Sequence, residues 1–398
     1  MDTRSKVGDY YDIIVTNRLT YMGNIFNKLL NFEGSPWKKD QSVIGLDIGS
    51  SAVKVIQLKQ VKGRIILETY GALALGPYAD LSIGQAVSLP PDEISAAIKD
   101  LFKESNITTN NSGVSIPMKS TLISLIEMPP MDARQLAEMI PLEARKYIPV
   151  PISEVALDWQ IVPKISDIEE NEDEETPKEK ENGRDKLNIL IVAIHNEILK
   201  NYQAITQSIG LVVSFFEVEI FSTIRSTFSH DMTPTMVLDM GAGTTKLSVV
   251  ERGVVQSFHT INRGSQDITL AISKSMGVDV KKAESLKREI GIENKTSEKN
   301  VSDVAKLSVG YIFDESNRVL LNYQRKYNKT ISKVILTGGG VLLKGFLQDA
   351  KEHLETDVVF GDPFAKVEAP AFLEPVLKEA GPEFAVAIGL ALRKLQEK

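Results

Sequence analysis

The chain has 398 residues, 42% hydrophobic and 25% charged, with a formal net charge of -7. That length calls for two or more subdomains rather than one simple core, and the acidic balance gives no electrostatic support to general nucleic-acid binding. Cysteine is absent, so disulfides, zinc–thiolate sites and cysteine nucleophiles are excluded.

No apolar run in the sequence reaches the roughly 18 residues of a spanning helix, and "MDTRSKVGDYYDIIVTNRLT" lacks a signal-peptide core. A cytoplasmic protein is therefore expected. Residues 1–40 read as an extension. Within them Leu19, Met22, Ile25, Phe26, Leu29 and Leu30 fall at helical spacing, predicting a short amphipathic helix that packs on the body or meets a membrane surface or partner. Met22 offers an alternative start, which would leave residues 1–21 as upstream sequence.

"VIGLDIGSSAVKVIQLKQ", Val43 to Gln60, reads as two buried strands joined by a polar turn that carries Asp47 and Gly49. "GRIILETYGALAL" supplies the next strand. A helix is predicted over Asp92–Asn106, with Asp92 as its cap. "SGVSIP" and "STLISLIEMPP" are strands, and a helix follows in which Pro141 must force a kink or a restart. Residues 166–186 form a charged, low-complexity tract expected to be a disordered loop. The flanking strands, "ALDWQIVPKI" and "LNILIVAIH", pair around it as a hairpin. A helix closed by Gly210 comes next, and then "LVVSFFEVEIFSTIRSTFS", which runs from strand into helix.

The opening pattern returns in "VLDMGAGTTKLSVVE": Asp239 aligns with Asp47 and Gly241 with Gly49, 192 residues apart. Such an echo predicts a duplicated fold. Two helices, a long helix, a strand–glycine turn–helix unit ("ISKVILTGGGVLLKGFLQDAKEHL") and a closing helix complete the chain.

A tight turn between strands presents backbone N–H groups, and its small residues let phosphate oxygens approach closely. An aspartate there holds magnesium, usually through water. One such turn has an ordinary hairpin as its plain alternative. Two turns in register, with Gly338, Gly339 and Gly340 as a third close-approach segment, form a set.

That set resembles the actin-like ATPase superfamily. "GLDIGSSAVK" and "VLDMGAGTTK" are similar to its two phosphate motifs, "ILTGGGVLLKGF" to its adenosine motif, and "KAESLKREIG" to its purine-and-ribose segment. Within the superfamily, "IGLDIGSSAVKVIQL" and "LIEMPPMDARQLAEMIPLEARKYIPVPISEVALDWQIV" resemble the PilM family of type IV pilus assembly, over roughly residues 43–395. The resemblance implies an α/β, actin-like ATPase fold of two related halves around a nucleotide cleft, with an FtsA/PilM-type inserted subdomain. The implied division is 1–40 extension, 41–117 first-half core, 118–213 inserted subdomain, and 214–232 return to the first half. The second-half core takes 233–265 and 330–382, its helical subdomain 266–329, and the closing helix 383–398.

It also implies ATP and Mg2+ as cofactors. Asp47 and Asp239 would hold the magnesium through water. Gly49, Ser50 and Ser51, with Gly241, Gly243, Thr244 and Thr245, would receive the phosphates. Lys54 would contact them, its plain alternative being a lysine snorkelling from a strand edge. Glu284 and Lys287 would hold the nucleoside, unless they are a surface ion pair, and Gly338, Gly339 and Gly340 would pack on adenosine. Glu219 is the candidate beside the attacking water, with Glu217 an open alternative two residues away.

No group unambiguously orients water for hydrolysis. The first expectation is therefore a nucleotide-dependent scaffold at the inner face of the cell membrane, with weak or absent ATP hydrolysis. Its implied partner is the cytoplasmic tail of a PilN-like inner-membrane protein. The alternatives are an FtsA-like membrane-associated filament protein and a small-molecule kinase on the same fold.

Overall fold

A computed structural model describes residues 42–164, 186–228, 232–293 and 299–396. The helix expected within residues 1–40 and the acidic tract up to residue 185 lie outside the described residues.

Strands β1 (Ser42–Ile48), β2 (Ala52–Val61) and β3 (Arg64–Ala74) form an antiparallel meander. Helix α1 (Pro91–Glu104) leads to β4 (Asn111–Ile116), which lies parallel to β1, and β8 (Val212–Val218) adds parallel to β4. The sheet order is β3-β2-β1-β4-β8. A second sheet repeats this path. Strands β9 (Thr235–Met240), β10 (Thr245–Glu251) and β11 (Val254–Ile261) form the meander, β12 (Lys333–Thr337) lies parallel to β9, and β13 (Asp357–Phe360) parallel to β12. Its order, β11-β10-β9-β12-β13, is the first sheet's order over again. The central strands β1 and β9 read as continuous apolar runs because helices and neighbouring strands leave neither face to water.

A third, antiparallel sheet inserts between β4 and β8. It places β7 (Leu187–His195) between β5 (Thr121–Met128) and β6 (Val155–Val162). The period of two along β7 divides its side chains. Ile189, Ile191 and Ala193 pack with Leu136 and Ile140 of α2 (Ala133–Ala144), while Leu190, Val192 and Ile194 join the first sheet's core. Helix α3 (Asn196–Ser208) returns the chain onto α1, where Ser208 donates to Ser95 at 2.7 Å. The second sheet's core is completed by α5 (Ser265–Met276), α6 (Val280–Ile290), α7 (Lys299–Tyr327) and α8 (Phe346–His353).

Two helices join the two sheets. Helix α4 (Glu219–Thr227) follows β8, and α10 (Ala385–Gln396) closes the described chain after α9 (Glu374–Ala380). They pack on one another, and α10 crosses back onto β1, β2 and β4. The contact is backbone-close: a Cβ on Gly389 would stand 1.9 Å from the Ser222 carbonyl oxygen. Glu217, at the end of β8, ties this junction. Arg225 grips it with two 2.7 Å bonds, Arg393 donates at 3.1 Å, and the Ser222 hydroxyl also donates to it. Arg393 stacks on Phe215 and Arg225 also donates to the Gly389 carbonyl. Burial opposes the charge on Glu217, but the two guanidinium groups outweigh it and hold its carboxyl below the usual range. Glu217 is thus engaged in the junction.

Two local expectations are corrected. Asp92 does not cap α1: Pro91 takes the first helical position and Asp92 falls inside the first turn, after Pro90 at the cap. Pro141 does not restart α2, which runs through it; the carbonyl it leaves unpaired belongs to Ala137, on the helix's exposed face. The four-residue strand β13 has too short an apolar run to be read from sequence.

Candidate functional site

The two aspartate turns are built alike. Asp47 faces Lys54 across the β1–β2 ladder, and Asp239 faces Lys246 across β9–β10. Gly49 N–H donates to the Ala52 carbonyl at 3.0 Å and Gly241 N–H to the Thr244 carbonyl at 2.9 Å. These glycine amides close their turns. The carbonyls at the turn tips are drawn off by other elements. Leu75 and Val87 amides donate to Ser51 and Ser50, and the first amides of α5, from Ser265 and Gln266, donate to Gly241 and Ala242. What each tip keeps for an anion is its remaining amides, those of Ser50 and Ser51 on one side and Gly243 and Thr244 on the other. The tips face each other, since a Cβ on Gly243 would lie 3.8 Å from Ser50 Oγ. Thr245 departs from expectation: it is fully buried and its hydroxyl donates to the Arg263 carbonyl at 2.9 Å.

Beneath the tips lies a buried charge cluster. Asp47 accepts from Ser115 Oγ at 2.8 Å and stands 4.0 Å from Lys54 Nζ, which is also 3.8 Å from Glu383. Asp239 accepts weakly from Thr223 at 3.5 Å. Glu219 opens α4; one oxygen accepts from Met118 N–H at 2.8 Å and the other from Lys246 Nζ at 3.1 Å. Burial pushes the carboxyls of Asp47 and Asp239 above their ordinary pKa, with Lys54 the main opposing charge for the first and Lys246 for the second. Burial works against the Lys246 ammonium, but Glu219 and Asp239 outweigh it and raise its pKa above the usual lysine value.

Two desolvated, undercompensated carboxylates are a fitting donor set for a divalent cation. Among the described residues no three acidic or histidine side chains converge as a direct cage, so Asp47 and Asp239 fit an ion held chiefly by water and an incoming phosphate.

On α6, Glu284 and Lys287 come together at 2.7 Å with side chains almost fully buried, not as a surface pair. Thr269 donates to Glu284 at 2.6 Å, Arg288 donates to it at 2.7 Å, and Lys287 reaches Thr269 and the Ser265 carbonyl. Burial opposes the charge on both. Lys287, Thr269 and Arg288 outweigh it for Glu284, whose pKa falls, while for Lys287 burial prevails over Glu284 and its pKa also falls. The glycine segment divides. A Cβ on Gly338 would meet Asp239 Oδ1 at 2.4 Å, and one on Gly340 would meet Met240 at 2.5 Å, so both glycines serve packing against the second turn. Gly339 instead faces Glu383. A strap, residues 75–90, crosses the mouth: Ala86 N–H donates to Gln266 at 2.6 Å, and a Cβ on Gly84 would lie 2.8 Å from the Glu284 carboxylate.

Sequence reasoning missed Lys246, Glu383, Gln266 and the Met118 amide. Lys246 was within reach, because it stands 192 residues after Lys54 as Asp239 does after Asp47. The other three arrive through long-range contacts.

Against known proteins, residues 45–395 match the family model described as type IV pilus assembly protein PilM. A solved PilM-PilN type IV pilus biogenesis complex contains a chain similar in fold, with a TM-score of 0.74 and 23% identity, covering 89% of this chain and 99% of that one. Cell division protein FtsA of Bacillus subtilis (strain 168) is 20% identical over 372 residues, 84% of this chain and 81% of FtsA. With its actin-like fold and a family match across most of its length, the chain belongs to the type IV pilus assembly protein PilM family.

Proposed function

We propose that this protein is an ATP-binding scaffold of pilus assembly that reads out its nucleotide state to a PilN-like partner. The observation that carries the reading is the pair of facing turns, each with a buried aspartate and a ladder lysine. In this reading the amides of Ser50, Ser51, Gly243 and Thr244 receive the phosphates, and Lys54 and Lys246 supply positive charge. Asp47 and Asp239 hold magnesium through water; the ion, when bound, offsets phosphate charge. Glu284 and Lys287 take the nucleoside, beside Gly339.

Holding ATP is favoured over turning it over. Glu219 has both oxygens engaged, by Met118 N–H and Lys246, and so is not poised to orient a water. Closure of the two sheets about the α4–α10 junction would then be the signal. In this reading the partner is the cytoplasmic tail of a PilN-like inner-membrane protein, which would place the scaffold at the inner face of the membrane; the similar fold solved in a PilM-PilN complex supports the choice of partner. Among the described residues no helix is long and apolar enough to cross a membrane, so attachment through such a partner suits the described chain. The test is calorimetric titration of a synthetic PilN-tail peptide into the full chain, with and without ATP and magnesium. Binding that changes with nucleotide is expected; no binding in either condition contradicts the reading.

A further inference from the structure

The three-residue 3-10 turn Met118–Ser120 joins β4 to β5 and is the root of the inserted sheet. The first amide of such a turn has no partner within it. Here the Met118 amide is satisfied from outside, by Glu219, 101 residues later in the chain. The other oxygen of the same carboxylate holds Lys246, which belongs to the second sheet's phosphate hairpin. Met118 also meets the second sheet directly, accepting at Sδ from Thr260 Oγ1 at 3.7 Å. One buried carboxylate therefore joins three bodies: the α4 junction, the second turn and the root of the insertion.

We propose that Glu219 is a positioning residue that transmits occupancy of the second turn to the orientation of the inserted sheet. The proposal rests on the reading of the facing turns as a nucleotide clamp. Phosphate oxygens arriving at the second turn compete with Glu219 for the single charge of Lys246. A buried carboxylate that loses its counter-ion is strongly disfavoured where it stands. Glu219 must then move or re-partner, and the Met118 amide, its remaining donor, moves with it. The inserted sheet, hung from that turn, is thereby biased by a ligand that does not touch it. The two-state element is the Lys246–Glu219–Met118 link, made or broken.

The absence of cysteine makes the test clean. Spin labels at Glu138→Cys on α2 and Asp314→Cys on α7, both exposed positions, report the distance between the inserted subdomain and the second sheet's helices in the full chain. AMP-PNP with magnesium is titrated first by calorimetry. No binding sinks the clamp reading and this proposal together; binding without a distance shift in the wild type sinks this proposal alone. Met118→Pro removes the N–H together with the side chain, at a first-turn position where proline is tolerated, after Pro117 at φ -63° and ψ 138°. It is expected to bind AMP-PNP as the wild type does and to lose the shift. Met118→Ala keeps the amide and is expected to keep the shift. A full shift in Met118→Pro, or its loss in Met118→Ala, overturns the proposal. Should Met118→Pro fail to fold, Glu219→Gln decides: it weakens the hold on Lys246 and is expected to move the nucleotide-free distance toward the bound value, and an unmoved distance overturns the proposal.

Discussion

The two aspartate hairpins share register, turn closure and lysine, yet their lysines are held very differently. Each reaches toward a glutamate at the entrance to a junction helix: Lys54 toward Glu383, just before α10, and Lys246 toward Glu219, the first residue of α4. The first pair is loose, at 3.8 Å with a third of the Glu383 side chain exposed; the second is 3.1 Å and almost dry. A duplicated motif has thus become one adjustable arm and one locked arm. The locked arm carries a contact that leads on, through Glu219, to the root of the inserted sheet.

The comparison is sharpened first by removing the lysines. Lys246→Met strands buried Glu219 and Asp239 without their cation and is expected to destabilise the fold by about 3–5 kcal/mol, read by urea unfolding. Asp239→Asn runs the other way. Its wild-type carboxyl has a folded pKa raised by burial, so the native state holds more protons than the unfolded chain between the unfolded and folded pKa values. The aspartate's contribution to stability therefore falls as pH rises through that window. Removing the charge should stabilise the nucleotide-free protein at pH 8 by about 0.5–2 kcal/mol. The gain should vanish in acid, while nucleotide affinity is lost. The smallest effect belongs to Lys54→Met, under about 1 kcal/mol for a loose, partly solvated pair. Equal costs for the two lysines would break the comparison.

Much of this was legible in the sequence. Alternating and continuous apolar runs located the strands around both turns, and the echo of Asp47 at Asp239 announced the repeated sheet order now seen. The pair Glu284 and Lys287 could be placed on one helix from their spacing. The choice between Glu217 and Glu219 was not legible, because it hangs on where β8 stops. The strand ends at Val218, so Glu217 turns into the junction and Glu219 into the cleft. Its second guanidinium partner, Arg393, lies 176 residues away, beyond any local pattern. The same holds for the strap, whose Ala86 is 180 residues from Gln266. Thr245 looked like a turn residue but is the first residue of β10, where its hydroxyl donates to the Arg263 carbonyl in the loop after β11.

The central claim is that the two turns form one clamp around a metal-bound polyphosphate. The most direct measurement is the anomalous scattering of manganese in crystals grown with Mn2+ and AMP-PNP. A single peak is expected between the turns, about 4 Å from both the Asp47 and Asp239 carboxylates, the spacing of a water-bridged ion. A manganese peak away from these two aspartates, or nucleotide density outside the space between Ser50 and Gly243, would contradict the account.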